Sequence, residues 1–423
     1  MLNAMGRSAL DRQPRRVRPR LLTWLGSGTG VWAGFVVVHI ALVILGSTTR
    51  TAGYVWGDVE LYQSWVLRGI TEGIWPVFHE PWVYPVGALL PIGIAGIGVP
   101  VGSAGYLITW VGLVVTLNAV VVVALLARQA HRAATWWLIF LLLLGPISIS
   151  RLDAVICPLI LLALLYGLTR PAVAAALLTV GAWIKVVPGA VYLALVALRR
   201  NQLRSVLVPG VVISGGVVAI TWLGGGLSRI TSFLTEQADR GLQIESVAAT
   251  PWMFARLWSP SDLERNTELF TYEVPGAGPA ALADALDPLL LVLLVGVLWL
   301  VIRAPQTDRT FVLASLVILT GLIVTNKVGS PQFVAWLGPP ITAGIAWLES
   351  REDKGWPSEP GWSRLASLAL VIAFCTQLIY PWGYSSLLEG AAPMTLVLAL
   401  RNVLIVVMFI VALVQLGRSG RRH

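Results

Sequence analysis

Apolar residues in this chain come in runs. From Val31 to the C-terminus, long apolar stretches alternate with short polar or basic connections, and the stretches themselves are nearly free of charge, Arg401 being the clear exception. Runs of this length and number predict bilayer-crossing helices. The expected spans are roughly 30–47, 105–127, 135–149, 154–168, 171–184, 188–198, 206–223, 282–302, 310–325, 332–348, 365–380 and 393–415. Several fall short of the roughly 20 residues of a perpendicular crossing, notably the two flanking Lys185-Val-Val-Pro188. A proline and a charge there predict broken or tilted helices whose freed backbone lies inside the bundle. The run 84–100 is also apolar, and whether it crosses decides the topology of everything after it.

Composition sets the class. Of 423 residues, 57% are hydrophobic and 12% charged, against about 25% charged in a typical soluble chain. The expected fold is therefore all-α: a polytopic membrane helical bundle of about twelve spans. Cys157 and Cys375 both sit in apolar runs, which points to neither a disulfide framework nor a metal cluster.

A net charge of +9 would suit nucleic acid, but the positions of the basic residues assign them to topology instead. If 84–100 does not cross, Arg128/Arg132, Arg170, Arg199/Arg200/Arg204, Arg303/Arg309, Arg351/Lys354/Arg364 and Arg418/Arg421/Arg422 all fall on the side of the Arg-rich N-terminal tail. With the six arginines of that tail they make 20 of the 30 basic residues. An extra crossing scrambles that asymmetry, so 84–100 is expected to be interfacial or re-entrant. The first span then acts as an uncleaved anchor in a multi-pass protein of the cell membrane, with both termini cytoplasmic. The expected organisation is a basic tail over 1–29, one transmembrane domain over 30–416 and a basic tail over 417–423. Two long extracytoplasmic loops cover about 48–104 and 224–281.

Ionisable residues without a topological role lie mostly on the extracytoplasmic side: Asp58, Glu60, Glu72, His79, Glu80, Asp153, Lys185, Arg240, Glu245 and Lys327. A transporter places its charges within the spans, often in repeated halves. The working surface here is expected at the outer membrane face. Asp58, Tyr62, Trp65 and Gly69 share one helical face, with Trp56, Tyr62 and Trp65 expected as an interfacial anchor. Asp58 is then either a helix N-cap or a reacting carboxylate. His79 reads as a phosphate ligand, an acid or base, or a plain loop residue. The pair Arg240/Glu245 reads as solvated charge or as site residues. Lys327 at a span end is explained by snorkelling, and Lys185 suggests either anion contact or a structural partner such as Asp153. No Walker loop, dinucleotide fingerprint, HExxH or Ser-His-Asp signal occurs.

Several stretches together resemble a known family. They are Gly57-Asp58-Val-Glu-Leu-Tyr62, Tyr84-Pro85-Val-Gly87, Asp153, Lys185-Val-Val-Pro188, Arg240-Gly-Leu-Gln-Ile-Glu245-Ser246 and Ser330-Pro331-Gln332-Phe-Val-Ala-Trp336. In this order they resemble the GT-C-fold glycosyltransferases that use polyprenyl-phosphate sugars. Within these, they look like the actinobacterial α-mannosyltransferases that elongate phosphatidylinositol mannosides and lipomannan. The resemblance runs from about residue 30 to 350 and departs at Val86, where many relatives have a second proline. It implies an inverting, metal-independent transfer of mannose from a polyprenyl-phosphate mannose donor to a hydroxyl of a glycolipid acceptor. No cofactor is implied, and the partners are membrane lipids rather than nucleic acid. By the same resemblance Asp58 is the general base. Lys327, Lys185, Arg240 and His79 are the donor-phosphate candidates, and Glu245, Gln332, Tyr62 and Tyr84 the sugar and acceptor candidates. A GT-C enzyme using lipid-linked arabinofuranose or glucose would share the fold and the base, whereas a polyprenol-lipid flippase or transporter would need a charged path through the spans, which the sequence lacks.

Overall fold

A computed structural model describes residues 27–48, 52–236, 240–266, 271–352 and 359–419. Most of both expected tails, together with Lys354, Arg421 and Arg422, lies outside the described residues. The chain folds as α1 (Gly28–Gly46), α2 (Ala52–Thr71), α3 (Leu89–Ala95), α4 (Ser103–Leu126), α5 (His131–Leu144), α6 (Asp153–Tyr166), α7 (Pro171–Ile184), α8 (Val187–Leu198) and α9 (Leu203–Leu223). It continues through the short α10 (Ser232–Thr235) and α11 (Thr250–Ala255), then α12 (Ala277–Arg303), α13 (Asp308–Val324), α14 (Gly338–Glu352), α15 (Pro360–Gln377), α16 (Tyr384–Leu388) and α17 (Ala392–Ser419). Each of the twelve apolar runs is helical. Among the described residues, six helices are long and apolar enough to cross a membrane, and several shorter apolar helices accompany them. The protein is an all-α polytopic membrane protein.

The pattern of burial explains the layering. α13 is buried on nearly every side from Thr310 to Gly321, and α6 almost as completely from Asp153 to Leu164. A helix apolar all round belongs in the middle of a bundle. Large apolar side chains of α9 and α12, such as Val211, Val212, Val292 and Val295, are exposed instead, as expected of helices bathed in lipid.

The run 84–100 forms a broken helix in which α3 is flanked by 3₁₀ turns, Val86–Ala88 and Gly96–Val101. It turns back sharply onto α4 at Gly98 and Gly105, where a Cβ on Gly98 would stand 2.1 Å from the Gly105 carbonyl oxygen. Only glycine permits that approach.

The loop 240–274 adds a feature the periodicity did not predict. β1 (Glu264–Asn266) pairs antiparallel with β2 (Thr271–Glu273), in register Arg265 to Tyr272. The Ile244 N–H then donates to the Tyr272 carbonyl at 3.0 Å, extending the ribbon toward the bundle.

Alternate connections of an up-and-down bundle lie at opposite ends, and the side chains sort accordingly. At one end Glu349 accepts from the N–H groups of Arg132 and Ala133 and from Arg132 Nε. Arg128 and Arg170 stack on Tyr166 there, and Arg309 pairs with Glu359 at 3.3 Å. At the other end meet α2, the α5–α6 and α7–α8 connections, the loop 240–249, the loop 325–330 and the end of α15.

Candidate functional site

Asp58 stands inside α2, which is already helical at Ala52. The residue is in the second turn of the helix and is not its N-cap. Its carboxylate is half-exposed, and Oδ2 takes a 2.9 Å bond from Arg151 Nε. Arg151 itself is buried. Its remaining N–H groups donate to the Val55 and Tyr54 carbonyls at 2.6 and 3.0 Å, to Ser150 and to the Tyr380 hydroxyl at 3.2 Å. One guanidinium thus fixes the start of α2, the carboxylate on it and the end of α15. Burial opposes the charge on Arg151, but Asp58 and the neighbouring tyrosines outweigh it and raise its pKa.

Sequence reasoning missed Arg151. The signal was there: an arginine inside Ile-Ser-Ile-Ser-Arg151-Leu-Asp153, at a span boundary on the side the basic clusters avoid, with no topological reason to be there.

The structure brings most of the predicted residues to this end and separates others. Asp153 is buried with both oxygens engaged, accepting from Trp336 Nε1 at 2.6 Å and from Lys185 Nζ at 2.7 Å. Lys185 therefore has the structural partner that its position at a helix break suggested. Its backbone is extended (φ −154°, ψ 135°) because α7 stops there and Pro188 opens the next helix. Its Nζ lies 5.3 Å from the centre of the Phe333 ring.

Tyr84 is half-buried near Tyr62, their rings 6.4 Å apart. Burial, then the Asp58 charge, pushes the Tyr84 hydroxyl well above its ordinary pKa. Arg240 lies in the field of Tyr84 and Glu273, with burial lowering its pKa, and its Nε has no hydrogen-bond partner among the described residues.

Loops 240–249 and 325–330 are laced together. The Gln243 N–H donates to the Lys327 carbonyl, and the Gly329 N–H to Gln243 Oε1 at 2.8 Å. A Cβ on Gly329 would stand 2.0 Å from the Ser246 nitrogen, so the crossing needs glycine. Lys327 Nζ meets Asp287 at 3.3 Å. Gln332 is half-buried on the 3₁₀ turn Pro331–Leu337.

Three expected roles are not supported by placement. Glu245 does not face a ligand: it is buried against Arg401 of α17 at 3.3 Å, and Arg401 also bonds the Glu245 carbonyl. Burial holds its pKa up to about 7 against the pull of Arg401. Tyr62 is fully buried against Trp65, Trp110 and Tyr84, and Trp56 is buried too, so these aromatics anchor α2 to the protein rather than to lipid headgroups. His79 sits in a turn where Nδ1 accepts the Trp75 N–H at 3.0 Å. Its neighbour Glu80 is clasped by Arg68 through two 2.9 Å bonds. Arg68 is ten residues beyond Asp58 on α2, about 15 Å along the axis, so His79 belongs to the far end of that helix.

A membrane-embedded helical bundle with a half-exposed acid and several cations gathered at one end has the makings of an enzyme working on membrane-borne substrates. The chain belongs to glycosyltransferase family 87, whose model matches residues 82–325, more than half of its length. It is a glycosyltransferase. Arg151, Asp153, Lys185, Arg240 and Glu245 fall within the matched stretch, whereas Asp58 and Tyr62 precede it and Lys327 and Gln332 follow. No curated protein matches the chain. Membership of this family in an integral membrane protein implies a lipid-linked donor and an acceptor in the membrane.

Proposed function

We propose that the protein moves mannose, with inversion, from a polyprenyl-phosphate mannose to a hydroxyl of a lipid-anchored mannoside, a phosphatidylinositol mannoside or lipomannan, at the extracytoplasmic face of the cell membrane. One observation carries this reading: a half-exposed carboxylate whose Oδ2 is held by a buried arginine at 2.9 Å. In the proposed reaction the carboxylate of Asp58 takes the acceptor's hydroxyl proton as that oxygen attacks the anomeric carbon opposite the phosphate. The C1–O bond breaks and its electron pair leaves with the polyprenyl phosphate, which gains a negative charge. The cations assigned to that charge are Lys185, held at 2.7 Å from Asp153, and Arg240, whose Nε has no hydrogen-bond partner among the described residues. Lys327 is the third cation at this end, and Gln332 and Tyr84 supply polar groups for sugar hydroxyls.

Mannose as the donor sugar rests on the sequence resemblance alone, and arabinofuranose or glucose on the same lipid carrier fits the geometry equally well. The test is purified protein in lipid, offered polyprenyl-phosphate mannose, arabinofuranose and glucose in separate assays with a phosphatidylinositol-mannoside acceptor. Mannose transfer by the wild type and its loss in Asp58→Asn, with donor binding kept, is the expected result. Transfer of another sugar instead overturns the mannose assignment. Wild-type turnover in Asp58→Asn overturns the base.

A further inference from the structure

A group of tyrosines beside Asp58 has no part in the chemistry above. Tyr54 is one turn before Asp58 on α2, hence on the same face, and it is 42% exposed. Its ring meets those of Tyr380 and Tyr384, each at 6.2 Å. Tyr380 and Tyr384 are 5.4 Å apart, and Tyr272 of β2 joins Tyr384 at 6.3 Å. All four contacts are steep, between 64° and 80°. Four separate elements therefore deliver tyrosines to one place. The sequence accounts for Tyr380: it precedes Pro381, which disfavours helix at the residue before it, and its backbone is extended there (φ −129°, ψ 122°). The Tyr380 hydroxyl donates to the Tyr54 carbonyl at 2.6 Å and receives Arg151 Nη2. The guanidinium that orients Asp58 thus also ties down this aromatic group.

We propose that Tyr54, whose exposed ring is backed by the buried Tyr384 and the half-buried Tyr380 and Tyr272, forms the saccharide subsite of the acceptor, a ring against which a pyranose lies while its hydroxyl reaches Asp58. Resting on the glycosyltransfer reading of Asp58, the proposal adds where the acceptor binds. A pyranose has an apolar C–H face and a rim of hydroxyls, and a tyrosine offers the matching pair, an apolar ring and a polar tip. Position along α2 separates the two substrates. Tyr54 lies about 6 Å to one side of Asp58, and Tyr62, with Tyr84 near it, about 6 Å to the other. The Tyr54 side is assigned to the neutral sugar. A purely packing role would not place Tyr54 at the rim, with its ring reaching solvent on the face that carries the acid.

The test is saturation-transfer NMR with octyl α-mannopyranoside as the probe, on the full-length protein in lipid, alongside transfer kinetics. Tyr54→Ala should weaken probe binding and raise the acceptor KM about tenfold, a loss of about 1.4 kcal/mol, with the donor KM and kcat changed less than twofold. Tyr54→Trp, which keeps a ring, should stay within threefold of the wild type on every measure. The proposal is overturned if the wild type transfers no saturation to the sugar ring protons, if Tyr54→Ala binds the probe like the wild type, or if donor and acceptor KM rise together. The catalytic reading fails separately: Asp58→Asn should bind the probe normally and be inactive, so an active Asp58→Asn removes the base while leaving the subsite.

Discussion

Two acid–arginine pairs lie at the same end of this bundle, built from the same chemistry and set in different surroundings. In Asp58–Arg151 the arginine side chain is 6% exposed and the acid 35%. In Glu245–Arg401 the figures are 3% and 1%. The first pair buries its cation and leaves one side of the carboxylate for a substrate. The second buries both partners and ties the loop 240–249 to α17, helped by Asn402, which donates to the Ser246 carbonyl and to Thr250. Residue type does not separate the proposed base from the structural acid. Access does, and access is a property of tertiary packing.

The largest expected effects set the two acids against each other. Asp58→Asn should lower turnover by about 10²–10⁴-fold, the range of general-base catalysis, with a smaller loss of stability than Glu245→Ala because the half-exposed amide still offers Arg151 an oxygen. Glu245→Ala should do the reverse. It strands the Arg401 charge among apolar neighbours, which costs about 3–5 kcal/mol, read by denaturant unfolding in detergent. A Glu245→Leu/Arg401→Met double variant should recover most of that loss, because exchanging a whole buried pair for apolar groups is often nearly neutral. An active Asp58→Asn beside a stable, inactive Glu245→Ala would dissolve the distinction.

Arg151 tests the same contrast more finely. Arg151→Met removes the fork that holds Asp58, Tyr380 and the first turn of α2 together, and kcat should fall about 100-fold, the scale of a misplaced catalytic group. Arg151→Lys keeps the charge but not the planar fork, so it should recover only part of the loss. The readout that separates orientation from folding is turnover set against unfolding: kcat should fall in Arg151→Met and recover in part in Arg151→Lys while both variants keep a cooperative transition. Lys327→Ala is a milder case. A contact with donor phosphate would appear as a raised donor KM alone.

The helices were legible because apolar runs and the side preference of arginine are properties of local sequence, and each expected span is helical where it was expected. Asp58, Lys185, Arg240 and Lys327 drew notice for the same reason: charge with no topological use stands out in so apolar a chain. What one linear sequence hid was pairing. Nothing near Asp58 in the chain announces Arg151, 93 positions on, and nothing near Glu245 announces Arg401 across four further spans. Tyr62 was misjudged because a helical face tells which residues point together, not whether they point at lipid, substrate or protein. The ribbon of β1 and β2 was missed because three-residue strands carry almost no periodic signal.

The smallest expected effect is a matter of pH, and it draws the line between the two acids without any assay of activity. In the folded protein Glu245 has its pKa raised to about 7 from an ordinary 4.5, by burial that Arg401 only partly offsets. Between those values the folded state keeps a proton that the unfolded chain has released. Stability contributed by this group is therefore complete below about pH 4.5 and is lost as pH rises toward 7. The melting temperature of the wild type should accordingly decline over that interval. Glu245→Gln, which cannot ionise and still offers Arg401 an oxygen, should flatten the decline. An unchanged decline in Glu245→Gln would show that burial of this acid does not set the slope, and the contrast drawn from exposure would lose its structural half.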